Sequence, residues 1–316
     1  MKPIVIFIAV LFATIATDSN SDSKIDGITD SKIKFPILTG PYMGQAPPGM
    51  TAETFAPDII SKEGWELEGV FAPGMKEFYF TTNRKSATVI GFRQHDNVWK
   101  KYIEFPRTGE IVFSHDGKRM YMAKGYKDRI GDGWAERKSL GPMIDRKDWH
   151  IMRLSASAKD TYVFDEATRE GNGVLRYSRL IDGKREESKP FSKEINTGKW
   201  TAHPFIASDE SYLIWDSERE GGFGGSDLYI SYRQKDGSWG PAINMGDKVN
   251  SDKEDFYASV TPDGKYILFN RGMDDKGNID IYWVDAQIIE TLRAKENNSL
   301  APEATAAEAE LSFRDI

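Results

Sequence analysis

The feature that most constrains this chain is a short line, apolar strand to tight turn to apolar strand, that recurs five times. Its clearest copy is VTPDGKYILF at residues 260–269. Pro262 presets φ at the first turn position, Asp263 bonds its own backbone, and Gly264 takes a φ that other residues adopt only at a cost. The other copies are FAPGMKEFYF at 71–80, FSHDGKRMYM at 113–122, LSASAKDTYV at 154–163 and IASDESYLIW at 206–215. The apolar anchors fall at 71, 113, 154, 206 and 260, spaced 42, 41, 52 and 54 residues apart. Such a period, with several strands in each unit, is the signature of a propeller.

The remainder of each unit agrees. A third strand follows at 89–93, 174–179, 227–233 and 280–285, and in the second unit none is evident between Ala123 and Asp132. A turn and a Trp-bearing segment come next, at Asp96-Asn97-Val98-Trp99, Asp132-Gly133-Trp134 and Asp236-Gly237-Ser238-Trp239. Asp-Gly before Trp marks a hairpin whose second strand buries one large ring. The last unit ends at Asp285 after three strands, while residues 55–61 form an orphan strand ahead of the first. Residues 55–61 therefore supply the missing outer strand, pairing near 279–284, because ring closure removes exposed strand edges. The predicted fold is all-β: a single β-propeller of four-stranded blades at 55–285, with five units counted and six blades left open. Residues 286–295 read as a short helix with Ile288, Ile289 and Leu292 on one face, leading into an acidic tail to 316.

Residues 1–16 are not read as fold. Lys2, the apolar run 4–13 and the small residues Thr14-Ile15-Ala16 have the form of a secretory signal peptide cleaved near Ala16, too short to span a membrane as a mature helix, with an uncleaved anchor as the alternative. A polar leader and an extended arm rich in Gly and Pro fill 17–54. There is no cysteine, hence no disulfide and no thiolate chemistry, which suits a bacterial periplasm or exterior. A net charge of −7 argues against nucleic acid as a partner.

The turn Pro262-Asp263-Gly264-Lys265, the run Gly224-Gly225-Ser226-Asp227-Leu228-Tyr229 and the segment DGSWGPAINMG at 236–246 resemble the WD40-like (PD40) repeat family of TolB-type β-propellers. The leader PYMGQAPPGM at 41–50 resembles the opening of an exported bacterial subgroup. The resemblance covers residues 40–285 and implies binding of a protein or a glycan at the cell envelope; a periplasmic or secreted monomer is expected. It implies no single reaction, since a fold alone does not supply one.

In a propeller the innermost strands line a central channel. Their starts here hold Glu68, Glu110, His150, His203 and Asp255, which are expected to converge at one mouth. Glu68, Glu110 and His203 lie three residues before their anchors, Asp255 five and His150 four; alternation makes offsets of three and five face alike. Such a ring suits a sugar, a basic peptide terminus or a divalent cation, although no cofactor is required. The bland alternative is a set of residues bonded to one another across a wet channel. A glycoside hydrolase or lyase using Glu68, Glu110 and Asp255 is the catalytic alternative, but no flanking motif supports it and a non-catalytic protein is favoured. Asp227 and Asp280 recur at one repeat position and read as blade-holding hydrogen-bond acceptors. The Gly-rich loop 221–225 reads as mobile, with Phe223 exposed.

Overall fold

The computed structural model describes residues 37–82, 85–168, 170, 173–272 and 277–300, with side chains to 297. The expected signal peptide, the start of the leader and the tail beyond 300 lie outside these residues. Among the described residues there are a two-stranded hairpin, Leu180–Ile181 with Lys184–Arg185, and five antiparallel sheets of four or five strands that form the blades. Each blade begins with the strand nearest a common axis: Glu66–Phe71, Ile111–Phe113, Leu154–Ala156, Lys199–Ile206 and Glu254–Val260. Each of these strands packs on the next, and the fifth packs on the first, so the sheets close a ring of five blades. The second strands, Glu77–Thr82, Arg119–Met122, Tyr162–Glu166, Tyr212–Glu218 and Tyr266–Gly272, return from the repeated turn.

That turn keeps one geometry in every blade even where Pro and Gly have been lost. Gly117 and Gly264 occupy it at φ 69 and 72; Met75, Asp160 and Glu210 occupy it at 58, 58 and 68. In each case the residue donates its N–H to the carbonyl three positions back. A non-glycine residue there costs roughly 1 kcal/mol, which the flanking strand pairs outweigh. The third strand of the second blade is Gly125–Ile130. Half-exposed polar residues fill it, so it carries no apolar alternation to read.

Ring closure comes from the N-terminal side, two residues earlier than the sequence suggested. Glu53 and Thr54 pair with Trp283 and Tyr282, and Phe55 N–H donates to the Ile281 carbonyl at 2.8 Å. Residues 55–61 then leave the sheet. Ala56 and Asp58 turn at positive φ, and Pro57 has no N–H to give a ladder. The segment still closes the ring, because Phe55 and Ile60 are buried with Phe71, Phe78 and Trp283 between the first and fifth blades. Ser61 Oγ adds a bond to the Ile281 carbonyl. The arm continues this seam. Leu38 and Thr39 pair with Trp99 and Val98, and Tyr42 Oη donates to Asp263 Oδ2 of the last hairpin turn at 2.6 Å.

Trp99 is buried as expected, whereas Trp134 and Trp239 are half-buried. The helix is Gln287–Leu300, and Ile288, Ile289 and Leu292 pack onto the fourth and fifth blades. Asp227 is a blade-holding acceptor: its carboxylate takes the N–H groups of Phe223 and Gly224 and the Asn244 amide. The 221–225 loop is thereby pinned. A Cβ on Gly224 would lie 1.9 Å from the Lys253 carbonyl, so only glycine passes there.

Because the closing segment adds burial without a covalent link, Phe55→Ala should cost about 3–5 kcal/mol in urea unfolding. Tyr42→Phe should cost about 1 kcal/mol. Equal stability of Phe55→Ala and the native chain would mean that the ring is closed elsewhere.

Candidate functional site

The geometry of the axis follows from a β-bulge that three blades share. Between Leu67 and Val70, Ala202 and Phe205, and Phe256 and Ser259, two residues of the inner strand face one of its partner. The first residue of each bulge is Glu68, His203 or Tyr257, at φ 61, 48 and 61. Glycine is the usual occupant of such a bulge, so these polar residues hold a costly backbone state. Each is held by the preceding blade. Asn270 Oδ1 accepts the Glu68 N–H at 2.9 Å, Asp165 Oδ2 the His203 N–H at 3.1 Å, and Asp216 Oδ1 the Tyr257 N–H at 3.2 Å. Asp165, Asp216 and Asn270 stand at one position of the repeat, near the end of the second strand.

The same register places Glu110 and Arg153 at the corresponding point of the second and third blades. In the third blade the turn is one residue shorter, with Ser157 N–H bonding the Thr161 carbonyl where Ala72 bonds Glu77. The anchor of that blade is therefore Ala156 rather than Leu154, and the residue three before it is Arg153. Glu68, Glu110, Arg153 and Tyr257 line one small gap, with room for about one water. His203 joins them, its Nε2 3.5 Å from Glu110 Oε1.

Three of the five residues singled out from the sequence, Glu68, Glu110 and His203, thus come together. His150 does not join them. Its side chain is exposed, and its carbonyl accepts the Ala167 N–H, because the true register falls three residues later. Asp255 is buried but occupied elsewhere: Arg271 Nε donates to it at 2.7 Å, and the Ser251 N–H and hydroxyl donate at 2.6 and 2.8 Å. The bulge inserts a residue between Asp255 and its anchor, which breaks the alternation on which equal facing depended. Tyr257 takes the axial place instead. The spacing could have found Tyr257, which lies three before Val260, but an aromatic residue among carboxylates carried no chemical signal.

Arg107, from the end of the first blade, ties the cluster together. Its Nε donates to Glu68 Oε1 at 2.6 Å, and its Nη2 lies 3.7 Å from Glu110 Oε1. Thr81 Oγ1 donates to Glu68 Oε2. His203 Nδ1 faces both Asp216 oxygens at 2.9 and 3.0 Å. Formal charge explains what remains. Four carboxyls, Glu68, Glu110, Asp165 and Asp216, face three cations, Arg107, Arg153 and a protonated His203. Glu110 is the one of the four that no hydrogen bond holds, which marks it as the surplus carboxyl. Both its oxygens are buried and without a hydrogen bond. Burial accordingly pushes the Glu110 carboxyl up to about 8, with Glu68 adding to the rise and His203 opposing it. Burial opposes the His203 imidazolium, but Asp216 and Glu110 outweigh it and raise it to about 9.

Fold and axis together define a five-bladed β-propeller whose channel is filled by its own charged network. The sequence matches no family model and no curated protein. Solved structures with a similar fold include TolB from Acinetobacter baumannii, at 13% identity over 68% of this chain and TM-score 0.42. The match spans 51% of that chain, about half its length. They also include an endo-arabinase from Bacteroides thetaiotaomicron, at 14% identity over 69% of this chain and 93% of that one, TM-score 0.45. A third is the NanB sialidase from Streptococcus pneumoniae, at 13% identity over 63% of this chain and 35% of that one, TM-score 0.39. No activity follows from likeness at this level. Among the described residues no helix is long and apolar enough to cross a membrane.

The two raised groups set a pH dependence. The folded state holds the His203 proton up to about pH 9 and the Glu110 proton up to about pH 8. The unfolded chain releases them near 6.5 and 4.5. The His203 contribution is fully present below 6.5 and lost as pH rises through 9; the Glu110 contribution is lost between 4.5 and 8. Melting temperature should therefore fall between pH 6.5 and 9. Glu110→Gln, which mimics the protonated acid, should flatten that fall in calorimetry. An unchanged slope would mean that Glu110 is ionised in the fold.

Proposed function

We propose that this chain is an exported, non-catalytic propeller that binds a protein or carbohydrate at the bacterial envelope. The observation that carries the reading is the closure of the axis. Glu68 and Glu110, the pair a glycosidase would need, both face the guanidinium of Arg107 and front a gap the size of one water. A sugar ring bound between two carboxylates requires them roughly 5–10 Å apart across open space. In this reading Glu68, Glu110 and His203 give the mouth its shape and charge, and contact with the ligand falls to its rim. There Trp200 is 39% and Phe223 48% exposed. Lys199 pairs with Glu218, so the 221–225 loop and the start of the fourth inner strand share one end of the blade. Export rests on Lys2 and the apolar run 4–13.

A second reading has one observation in its favour. A buried carboxyl that stays protonated near neutral pH, as Glu110 does, is what a glycosidase uses as its general acid. A glycan array and envelope cross-linking on the mature protein, beside a panel of chromogenic glycosides, separate the two. Binding should fall about tenfold or more in a Trp200→Ala/Phe223→Ala variant, with no glycoside turned over. Turnover that Glu110→Gln abolishes would establish the enzyme instead.

A further inference from the structure

A second site lies between the third and fourth blades, away from the axis. Its cavity measures about 380 Å³, within the range of roughly 300–1,000 Å³ typical of small-ligand pockets. The floor is apolar, with Val163, Phe191 and Ile206 buried. Three rings form its wall: Tyr177 and Phe191 have centroids 5.1 Å apart, and Phe191 and Trp239 6.0 Å. The rim includes Glu210 and Arg233, from the first hairpin turn and the end of the third strand of the fourth blade. Those elements stand at the end of the blade opposite Trp200 and the 221–225 loop, so this site is independent of the mouth.

The charges on the rim differ in what they already hold. Arg179 is committed to Glu186, Nε to Oε1 at 2.5 Å and Nη2 to Oε2 at 3.1 Å. Glu210 accepts the Ser157 hydroxyl at 2.8 Å and lies 3.7 Å from Lys159 Nζ. Glu194 is held low by the Ser192 hydroxyl. Arg233 is the exception. Its guanidinium lies over Trp239 at 5.1 Å and attracts the nearby Glu210 carboxylate, but among the described residues it makes no side-chain hydrogen bond. A cation already placed over an aromatic face, with its donors unspent, favours a planar apolar body that carries an anionic group.

We propose that the cleft between the third and fourth blades binds a small aromatic or apolar carboxylate, with its body against Phe191 and Trp239 and its carboxylate on Arg233. The anion replaces water on the Arg233 donors, and the ring displaces weakly held water from the apolar wall. Glu210 and Glu194 exclude dianions and set the orientation, since a carboxylate turned toward either meets like charge. No covalent step is involved.

Calorimetric titration of the whole protein with 2-naphthoate and its neutral counterpart 2-naphthamide tests this. The native protein should bind the acid about tenfold more tightly than the amide, the worth of one charge-assisted bond. Arg233→Gln should bring the acid down to the affinity of the amide. Trp239→Ala should weaken both; Trp239→Phe, which keeps a ring, should retain most of the binding and guards against a folding defect. The Trp200→Ala/Phe223→Ala variant should bind the acid normally, so failure of the mouth and failure of the cleft are separable. Equal affinity for acid and amide in the native protein, no heat with either at millimolar concentration, or an Arg233→Gln variant that still prefers the acid would overturn the proposal.

Discussion

The interaction on which the rest depends is a hydrogen bond from a strained backbone N–H to the side chain of the neighbouring blade. It occurs three times: Glu68 to Asn270, His203 to Asp165 and Tyr257 to Asp216. Each acceptor lies on a second strand and each donor on the bulge of the next inner strand, so the bond crosses a blade junction near the axis. A buried N–H left unpaired would cost on the order of 1–3 kcal/mol. These acceptors satisfy the N–H groups that the bulges turn out of the sheet ladder, at the residues that place Glu68, His203 and Tyr257 at the axis. Asp165 does most, accepting from Met152 and Arg153 of its own blade as well as from His203.

The bulges explain why the centre is charged rather than apolar. Three inward turns at positive φ bring polar side chains to a place where little water can follow, and electrostatics must then close locally. Arg107 answers Glu68 and Asp216 answers His203, which leaves Glu110 neutral. The charges at the axis are answered among its own members, although both Glu110 oxygens make no hydrogen bond. Such a centre rigidifies a ring but leaves little room to grip a substrate, and in the function proposed above recognition falls to the exposed aromatic residues and the cleft between blades.

The two surfaces proposed for binding rest on different physics. At the mouth, exposed Trp200 and Phe223 stand on a fourth blade whose loop is pinned by Asp227, so their display needs little ordering when a ligand arrives. In the cleft, three rings from two blades form a wall that neither blade makes alone. Residues 154–163 and 206–215 have lost the Pro and Gly of the repeated turn, and these same blades carry the cleft. Glu210 stands at the glycine position of its turn, and its carboxylate bonds Ser157 across the junction. Departure from the repeat thus coincides with the departure from ring symmetry that opens a cavity.

By itself the sequence determined the repeat, the hairpin turn, the four-stranded unit and the need for an N-terminal strand to complete the fifth blade. All of these follow from local chemistry: turn residues, apolar alternation and a strand missing at one end with a spare at the other. It also brought Glu68, Glu110 and His203 to a common register. The tertiary structure decided what depends on counting residues across a junction. The third turn begins two residues later than the apolar anchor Leu154 implied and is one residue shorter, which moved the third axial position from His150 to Arg153, and a bulge moved the fifth from Asp255 to Tyr257. Neither leaves a mark in composition, because a bulge at a non-glycine residue is permitted only by an acceptor on another blade, more than thirty residues away in the chain. The protonated state of Glu110 was decided in the same way, by the sum of charges that the closed ring places around it.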